Sequence, residues 1–217
     1  MPQQQHVSAA VQPTPKVTDA PWKGADIVAG LRRVHAESEI YWPTAFPDDS
    51  AFFHRIAPEV WAPVDQVRHL TKSCRAIAKG FEIPRGLLAV RYGIPLRRSR
   101  DYATFLALYE ERLRRGVRQN PFAPRILDAH EQTPDGRARV MREHAESIVR
   151  LCDAIERYPE WSLDRLRAKH PALGMITMRE LAMFALLHNV HHVQVAEDRR
   201  VNPVVRMTDR KAVGQSQ

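Results

Sequence analysis

The chain has 217 residues, 44% of them hydrophobic and 27% charged, which is typical of a globular protein with one domain. Its net charge of +8 is spread along the chain rather than gathered in a basic stripe with aromatic residues, so nucleic acid is not an expected partner. The chain has no apolar stretch of ~18 residues and no signal peptide at Met1–Ala20, which predicts a cytoplasmic protein with no membrane partner.

Composition divides the chain into three segments. Residues 1–22 are rich in Gln and Pro and are predicted to be disordered, residues 23–200 to form one helical domain, and residues 201–217 to form a flexible polar tail. The two cysteines, Cys74 and Cys152, lack any zinc-ligand spacing and fall among apolar residues, so we expect both to be buried.

Four long helices are predicted, because hydrophobic residues recur at steps of three and four. The first is expected to end where Pro43 follows Trp42. The fourth begins near Thr177, a predicted N-cap with Glu180 three residues later as in a capping box, and continues into a run that is apolar on every face. The predicted ranges are 24–42, 61–81, from the turn or cap segment Thr133–Gly136 to 158, and from 177 onward.

The region between the second and third long helices, residues 82–135, is broken repeatedly by proline and glycine. One helix is predicted inside it, from Ser99 to Arg115, with Gly116 as its C-terminal signal. A short helix is also expected over residues 161–169, and no segment has the pattern of a β-strand. The sequence therefore predicts an all-α fold, a four-helix bundle with a long crossover that contains an extra helix between the second and third bundle helices.

Two histidines of the fourth long helix, His188 and His192, point in one direction because they are four residues apart. They follow the apolar run and are expected to face the interior, where a polar nitrogen without a partner costs about 1–3 kcal/mol. A shared divalent cation satisfies both rings, and this spacing is common among chelating histidines; two hydrogen-bonded core histidines are the alternative. His191 points about 60° away from His188 and is expected beside the site.

A catalytic zinc usually takes three protein ligands, so a third ligand is expected from another helix. His69 in the second long helix is the first candidate, because its neighbours are small, and His144 on the stripe of the third helix is the second. Asn189 stands where a zincin has glutamate, and no glutamate has a histidine three residues later, as a di-iron bundle requires. A site of three nitrogens and one metal remains, suited to zinc, nickel, copper or iron.

Three segments resemble the DinB/YfiT-like superfamily of metal-binding four-helix bundles. They are Trp61–Pro63 leading to His69, the loop His170–Thr177, and Leu187–Gln194, which is similar to the family's ending His-x-x-His-His. The similarity covers roughly residues 24–200 and departs from many relatives at Val193 and Gln194.

The resemblance implies that His188 and His192 are metal ligands, that His69 completes the triad, and that the bundle is a homodimer. It further implies a metal-dependent hydrolase, or a transferase that uses a low-molecular-weight thiol, acting on a small-molecule substrate with zinc or nickel. A non-catalytic metal-binding or stress-related interaction protein is the alternative, and a nucleic-acid-binding helical protein comes last. No general acid or base is identifiable; the candidates beside the metal are His191, His144, Gln66 and Glu180.

Overall fold

The computed structural model describes residues 22–57, 60–116 and 122–202, so the predicted terminal segments 1–22 and 201–217 lie almost entirely outside the described residues. Within these ranges the fold is mainly helical, as predicted, with one small antiparallel sheet. In chain order the elements are α1 (Gly24–Ala45), α2 (Asp49–Phe53), α3 (Pro63–Glu82), α4 (Arg85–Tyr92), α5 (Tyr102–Arg114), a 3-10 turn (Ala129–Glu131), α6 (Pro134–Glu156), α7 (Glu160–Leu163), β1 (Arg167–His170), β2 (Gly174–Thr177) and α8 (Met178–Val201).

The four long helices each pack against two others: α1 and α3 both contact α6 and α8. The buried face of α1 is the stripe predicted from its hydrophobic period and includes Ile27, Leu31 and Val34. Every residue of α8 from Leu181 to Leu187 is buried, which is the expected consequence of a run that is apolar on all sides. The core therefore lies between these helices, with α8 as its most enclosed member.

The starts of the long helices follow the cap signals of the sequence. The Thr133 side chain accepts a hydrogen bond from the Gly136 amide at 3.1 Å and opens α6. At the start of α8, the Thr177 hydroxyl accepts from the Glu180 amide at 3.2 Å, while the Glu180 carboxylate accepts from the Thr177 amide at 3.0 Å. The predicted capping box is thus confirmed. Because it sets the residue at which α8 begins, it also determines which later residues of the helix face the core.

The predicted end of α1 at Trp42 is wrong. The helix continues through Pro43 to Ala45, and the Phe46 amide bonds to the Trp42 carbonyl at 3.1 Å. A proline this close to the C-terminus removes only one backbone hydrogen bond and leaves the last turn intact. Cys74 and Cys152 are buried as predicted and form no disulfide.

The predicted short helix over residues 161–169 and the predicted absence of strands are also wrong. The helix ends at Leu163, and β1 then pairs antiparallel with β2, with Ala168 opposite Ile176. Gly174 supplies the positive φ of 72° that the turn needs. Four-residue strands are too short to show an alternating pattern, so the sequence reads as a loop here.

A further difference lies in the crossover, where α4 forms between Pro84 and Gly93 in a region predicted to be irregular. Only Leu88 of this helix is buried, so no hydrophobic period announces it. The other crossover helix, α5, matches its prediction closely. None of the described helices combines the length and apolarity that crossing a membrane requires.

Candidate metal centre

The structure brings three histidines from two helices into one group. One ring nitrogen of His69, of His188 and of His192 lies within 4.8 Å of the other two, and the Nε2 atoms of His69 and His188 are 2.8 Å apart. His69 comes from α3, and the other two come from successive turns of α8. His69 and His192 are buried, and His188 is partly exposed.

Helix geometry explains the convergence. His188 and His192 share one face of α8 because they are four residues apart, and their ring centroids are 4.5 Å apart. The packing of α3 against α8 brings the His69 ring within 4.9 Å of His188 and 4.6 Å of His192. The Trp61 ring, just before α3, lies 5.0 Å from His69 and stacks on His192 at 6.1 Å.

The outer nitrogen of each ring is held by an oxygen. His69 Nδ1 lies 3.3 Å from the backbone carbonyl of Phe122, and His192 Nδ1 lies 2.5 Å from the side-chain oxygen of Gln66. His188 Nδ1 lies 3.2 Å from the Tyr109 hydroxyl. Such partners fix ring orientation in metal sites, and they leave the three Nε2 atoms to face the centre of the group.

These contacts determine where the protons are when no metal is bound. The oxygens of Phe122 and Gln66 can only accept, so His69 and His192 each carry a proton on Nδ1 and have an unprotonated Nε2. His188 must then donate its Nε2 proton to His69 Nε2, while its Nδ1 accepts from the Tyr109 hydroxyl. Two of the three rings are therefore already the tautomer that binds a metal through Nε2.

The third ring can change tautomer without losing a partner. If His188 moves its proton to Nδ1, that nitrogen donates to the Tyr109 oxygen, because a hydroxyl both donates and accepts. A tetrahedral zinc ion with bonds of about 2.0–2.1 Å needs its nitrogen ligands about 3.3 Å apart. The Nε2 atoms of His69 and His188 are 2.8 Å apart and would reach this spacing after a small side-chain movement, so the residues suit a divalent transition metal.

The electrostatic setting also favours neutral rings. Burial lowers the pKa of His69, and burial with the neighbouring imidazoles lowers the pKa of His188 and His192 well below the ordinary value of 6.5. A metal competes with protons for the same nitrogens, so rings that stay neutral bind it over a wider pH range.

The four residues proposed from sequence as neighbours of the metal fall into two groups. Gln66 contacts His192 directly, and the His191 ring meets His192 edge to face at 5.3 Å. His144 instead packs against His35 at 5.7 Å, on the side of α6 that meets α1.

Glu180 belongs to the second group, because its carboxylate accepts hydrogen bonds from Arg97 and Arg100 at the start of α8. Among the described residues, the structure therefore places neither His144 nor Glu180 in the three-histidine group.

Two partners of the group were not predicted from sequence. Tyr109 lies on α5, whose pattern predicts a helix but no hydroxyl beside a histidine, and the Phe122 carbonyl belongs to the irregular crossover, where the sequence carries no signal for a backbone oxygen. His170 also lies near the group: its ring is 4.2 Å from Phe184, which stacks on His188 at 4.8 Å. The amides of Ala172 and Leu173 donate to His170 Nδ1, which places its proton on Nε2.

No protein-family model, curated protein or solved structure matches the chain. The resemblance to the DinB/YfiT-like superfamily therefore rests on the sequence segments alone and stays a prediction.

Proposed function

We propose that the protein is a metal-dependent enzyme whose metal is held by His69, His188 and His192. The observation that carries the proposal is the pairing of each outer nitrogen with an oxygen while the inner nitrogens converge. Hydrogen-bonded core histidines would also need partners for their outer nitrogens, but they would not bring three inner nitrogens together with a single proton among them. Outer partners that orient three imidazoles toward a common point are the arrangement found around a bound metal.

The group leaves room for a ligand from solution. Three nitrogens are its only members among the described residues, and His188 is partly exposed. Catalytic zinc sites have three protein ligands and keep one position open, whereas structural zinc sites use four. Zinc or nickel bound here would lower the pKa of a water molecule or thiol in that position, which supports hydrolysis or transfer to a low-molecular-weight thiol.

The surrounding residues have separate parts in this proposal. Gln66 and the Phe122 carbonyl hold the Nδ1 protons of His192 and His69, so that both inner nitrogens stay unprotonated. Once His188 Nε2 binds the metal, the Tyr109 oxygen accepts a hydrogen bond from His188 Nδ1–H. The hydroxyl hydrogen of Tyr109 is then free to donate to a substrate atom. Trp61 covers two of the rings on one side and excludes water there.

The finer expectations from the resemblance belong to the same proposal. They are a DinB-like four-helix bundle with a long crossover, a homodimer and a small-molecule substrate. The packing of α1 and α3 against both α6 and α8, and the insertion of α4 and α5 between α3 and α6, support the bundle.

A non-catalytic role is the second candidate, and one observation favours it. The ligands come from two different helices, so a metal would join α3 to α8 and stabilise the fold directly. The two candidates share the site and differ in whether the remaining position accepts a ligand from solution.

Elemental analysis and a reactivity screen test the proposal together. We expect about one equivalent of zinc or nickel per chain in the untagged protein. We expect its loss from His69→Ala, His188→Ala and His192→Ala, with retention in the matched control His144→Ala. The metal-loaded protein is then screened with low-molecular-weight thiols and electrophiles, with and without a chelator. Activity that survives metal removal would contradict the enzyme, and a loaded metal that binds no added thiol or anion would support the structural role.

A further inference from the structure

A group of exposed apolar side chains lies on the crossover and the hairpin, away from the three histidines. On α4 and the loop after it, Leu87 is 55% exposed, Val90 85%, Ile94 64% and Leu96 fully exposed. Trp161 on α7 is 62% exposed, and the Arg85 guanidinium lies 5.8 Å over its ring. Single exposed apolar residues are ordinary, but several on neighbouring elements mark an interaction surface.

The hairpin continues this surface. Leu96, Arg167 and Met175 line a cleft of about 340 Å³ between the crossover loop and β2. Lys169 pairs with Met175 across the two strands, so both exposed side chains stand on the same side of the hairpin. We refer to the following residues together as the basic-apolar face: Leu87, Val90, Ile94, Leu96, Trp161, Met175, Arg85, Arg91, Arg98, Arg167 and Lys169.

The face is held firmly in place. Leu88 anchors α4 in the core, and the Arg167 side chain donates to the Tyr92 carbonyl at 2.5 Å where α4 ends. Arg97 forms a bidentate pair with the buried Glu180, at 2.6 and 2.7 Å, which fixes the loop beside Leu96. The exposed side chains are therefore presented by an ordered backbone.

The charged side chains of the face are all positive, and the nearby carboxylates of Glu160 and Asp164 form ion pairs with the buried Arg179. Residues 85–100 contain five arginines and neither aspartate nor glutamate. Glu180 neutralises two of them, Arg97 and Arg100, whereas Arg85, Arg91 and Arg98 have no carboxylate within ion-pair distance among the described residues. The same holds for Arg167 and Lys169 on the hairpin. Whatever covers this face must be negatively charged and must also accept protruding apolar side chains.

A second copy of the chain does not meet both conditions. A two-fold interface brings a surface against itself, so the arginines of one protomer would face those of the other with no acidic residue between them. A negatively charged bilayer surface does meet both conditions. Arginine and lysine contact the anionic headgroups, while Trp, Leu, Val and Ile side chains enter the boundary between headgroups and acyl chains.

We propose that the basic-apolar face binds the protein to anionic lipid surfaces as a peripheral membrane protein. This changes the expectation from sequence, where no membrane partner was predicted because no spanning segment is present. None of the residues of the face belongs to the three-histidine group, so the proposal does not rest on metal binding. A variant that has lost metal binding can still be tested for lipid binding, and a variant that has lost lipid binding can still be tested for metal binding.

Sedimentation with vesicles tests the proposal on the full chain. We expect the protein to sediment with vesicles of equal parts phosphatidylcholine and phosphatidylglycerol, to remain in solution with phosphatidylcholine alone, and to be released by high salt. Tryptophan emission should shift to shorter wavelength on binding, and Trp161→Phe should abolish most of that shift. Equal binding to both vesicles, or no binding to the anionic ones, would overturn the proposal; in the second case an acidic protein surface becomes the expected occupant.

Paired variants separate the apolar and charged contributions. Val90→Ser with Leu96→Ser keeps every charge and should weaken binding roughly tenfold or more, because both side chains leave the lipid boundary. Arg91→Ala with Arg98→Ala should weaken it by about the same factor. The control, Ile40→Ser with Val149→Ser, removes exposed apolar residues elsewhere and should bind as wild type. The assignment of this face is wrong if the variant with Val90→Ser and Leu96→Ser binds anionic vesicles as tightly as wild type. It is also wrong if these substitutions convert a wild-type dimer to a monomer without affecting vesicle binding.

Discussion

Within the part of the chain that the structure describes, two largely buried groups of histidines differ in what their outer nitrogens meet. In the group of His69, His188 and His192 every Nδ1 has an oxygen partner. In the pair of His35 and His144 both Nδ1 atoms are buried and lack a hydrogen-bond partner among the described residues. The first arrangement directs lone pairs to a common point, while the second leaves both outer nitrogens without a hydrogen bond, although His35 Nε2 lies 3.6 Å from the Glu39 carboxylate. Burial of histidine alone therefore does not predict a metal site, whereas a convergent group whose outer nitrogens are all paired supports the proposed one.

The largest expected effect is on the free energy of unfolding, and it comes from the pair of His35 and His144. Burial lowers the pKa of His144 from its ordinary 6.5 to about 3. Below pH 6.5 the unfolded chain therefore binds a proton that the folded protein refuses, and the free energy of unfolding falls as the pH decreases toward 3. The loss from this residue reaches about 5 kcal/mol, and denaturant titrations across this pH range should show a smaller loss for His144→Gln.

The matched control for this titration is His54→Gln, which makes the same substitution at an exposed histidine outside the pair. Metal ligands titrate in all three proteins, so they cancel in the difference. Identical pH profiles for wild type and His144→Gln would show that the pair of His35 and His144 does not destabilise the protein in acid.

The three-histidine group should respond to metal instead. Zinc at a thousand times its dissociation constant is expected to raise the free energy of unfolding by about 4 kcal/mol, because it binds only the folded chain. His192→Ala should lose this gain and His35→Gln should keep it, as thermal unfolding with and without zinc will show. A gain that survives in His192→Ala would place the metal elsewhere.

A smaller effect is expected from the partner of His192. Gln66→Leu removes the oxygen that holds the Nδ1 proton and should weaken metal binding about 10–100-fold, as measured by competition with a chelating dye. Gln66→Glu keeps an accepting oxygen at the same place and is the matched control. Equal losses in both variants would show that Gln66 acts through packing rather than through the hydrogen bond.

The smallest change in affinity is expected at Tyr109. Its hydroxyl can pair with either tautomer of His188, so Tyr109→Phe should weaken metal binding less than about tenfold. Long-range nitrogen–proton NMR correlations should nevertheless show the His188 proton on Nε2 in the metal-free protein and on Nδ1 after zinc is added. A His188 proton on Nδ1 in both states would contradict the hydrogen-bond assignment made above.

Much of the helical framework could be predicted because its signals are local. Thr133 and Thr177 begin helices through side-chain caps, and the apolar run before His188 announces a buried helix. The hairpin and α4 could not be predicted in the same way. Their strands and buried surface are too short for a period, and Arg167 ties the two together through a contact that sequence spacing does not reveal.

The candidate site divides along similar lines. The spacing of His188 and His192 follows from helix geometry, which the sequence encodes directly. The third histidine depends on how α3 packs against α8, and residue spacing alone left His69 and His144 both open. The Phe122 carbonyl and the Tyr109 hydroxyl come from the crossover, where tertiary packing decides which atoms face the rings.

The buried carboxylate of Glu180 ties together parts of the chain that are far apart in sequence. It caps α8 through Thr177 and at the same time accepts from the side chains of Arg97 and Arg100 and from the Arg100 amide, at 2.6–2.9 Å. Neither the first turn of α8 nor the crossover loop can open without exposing this carboxylate or leaving it unpaired in the interior. The two segments should therefore unfold as one cooperative unit, with amides that exchange hydrogen at a common rate.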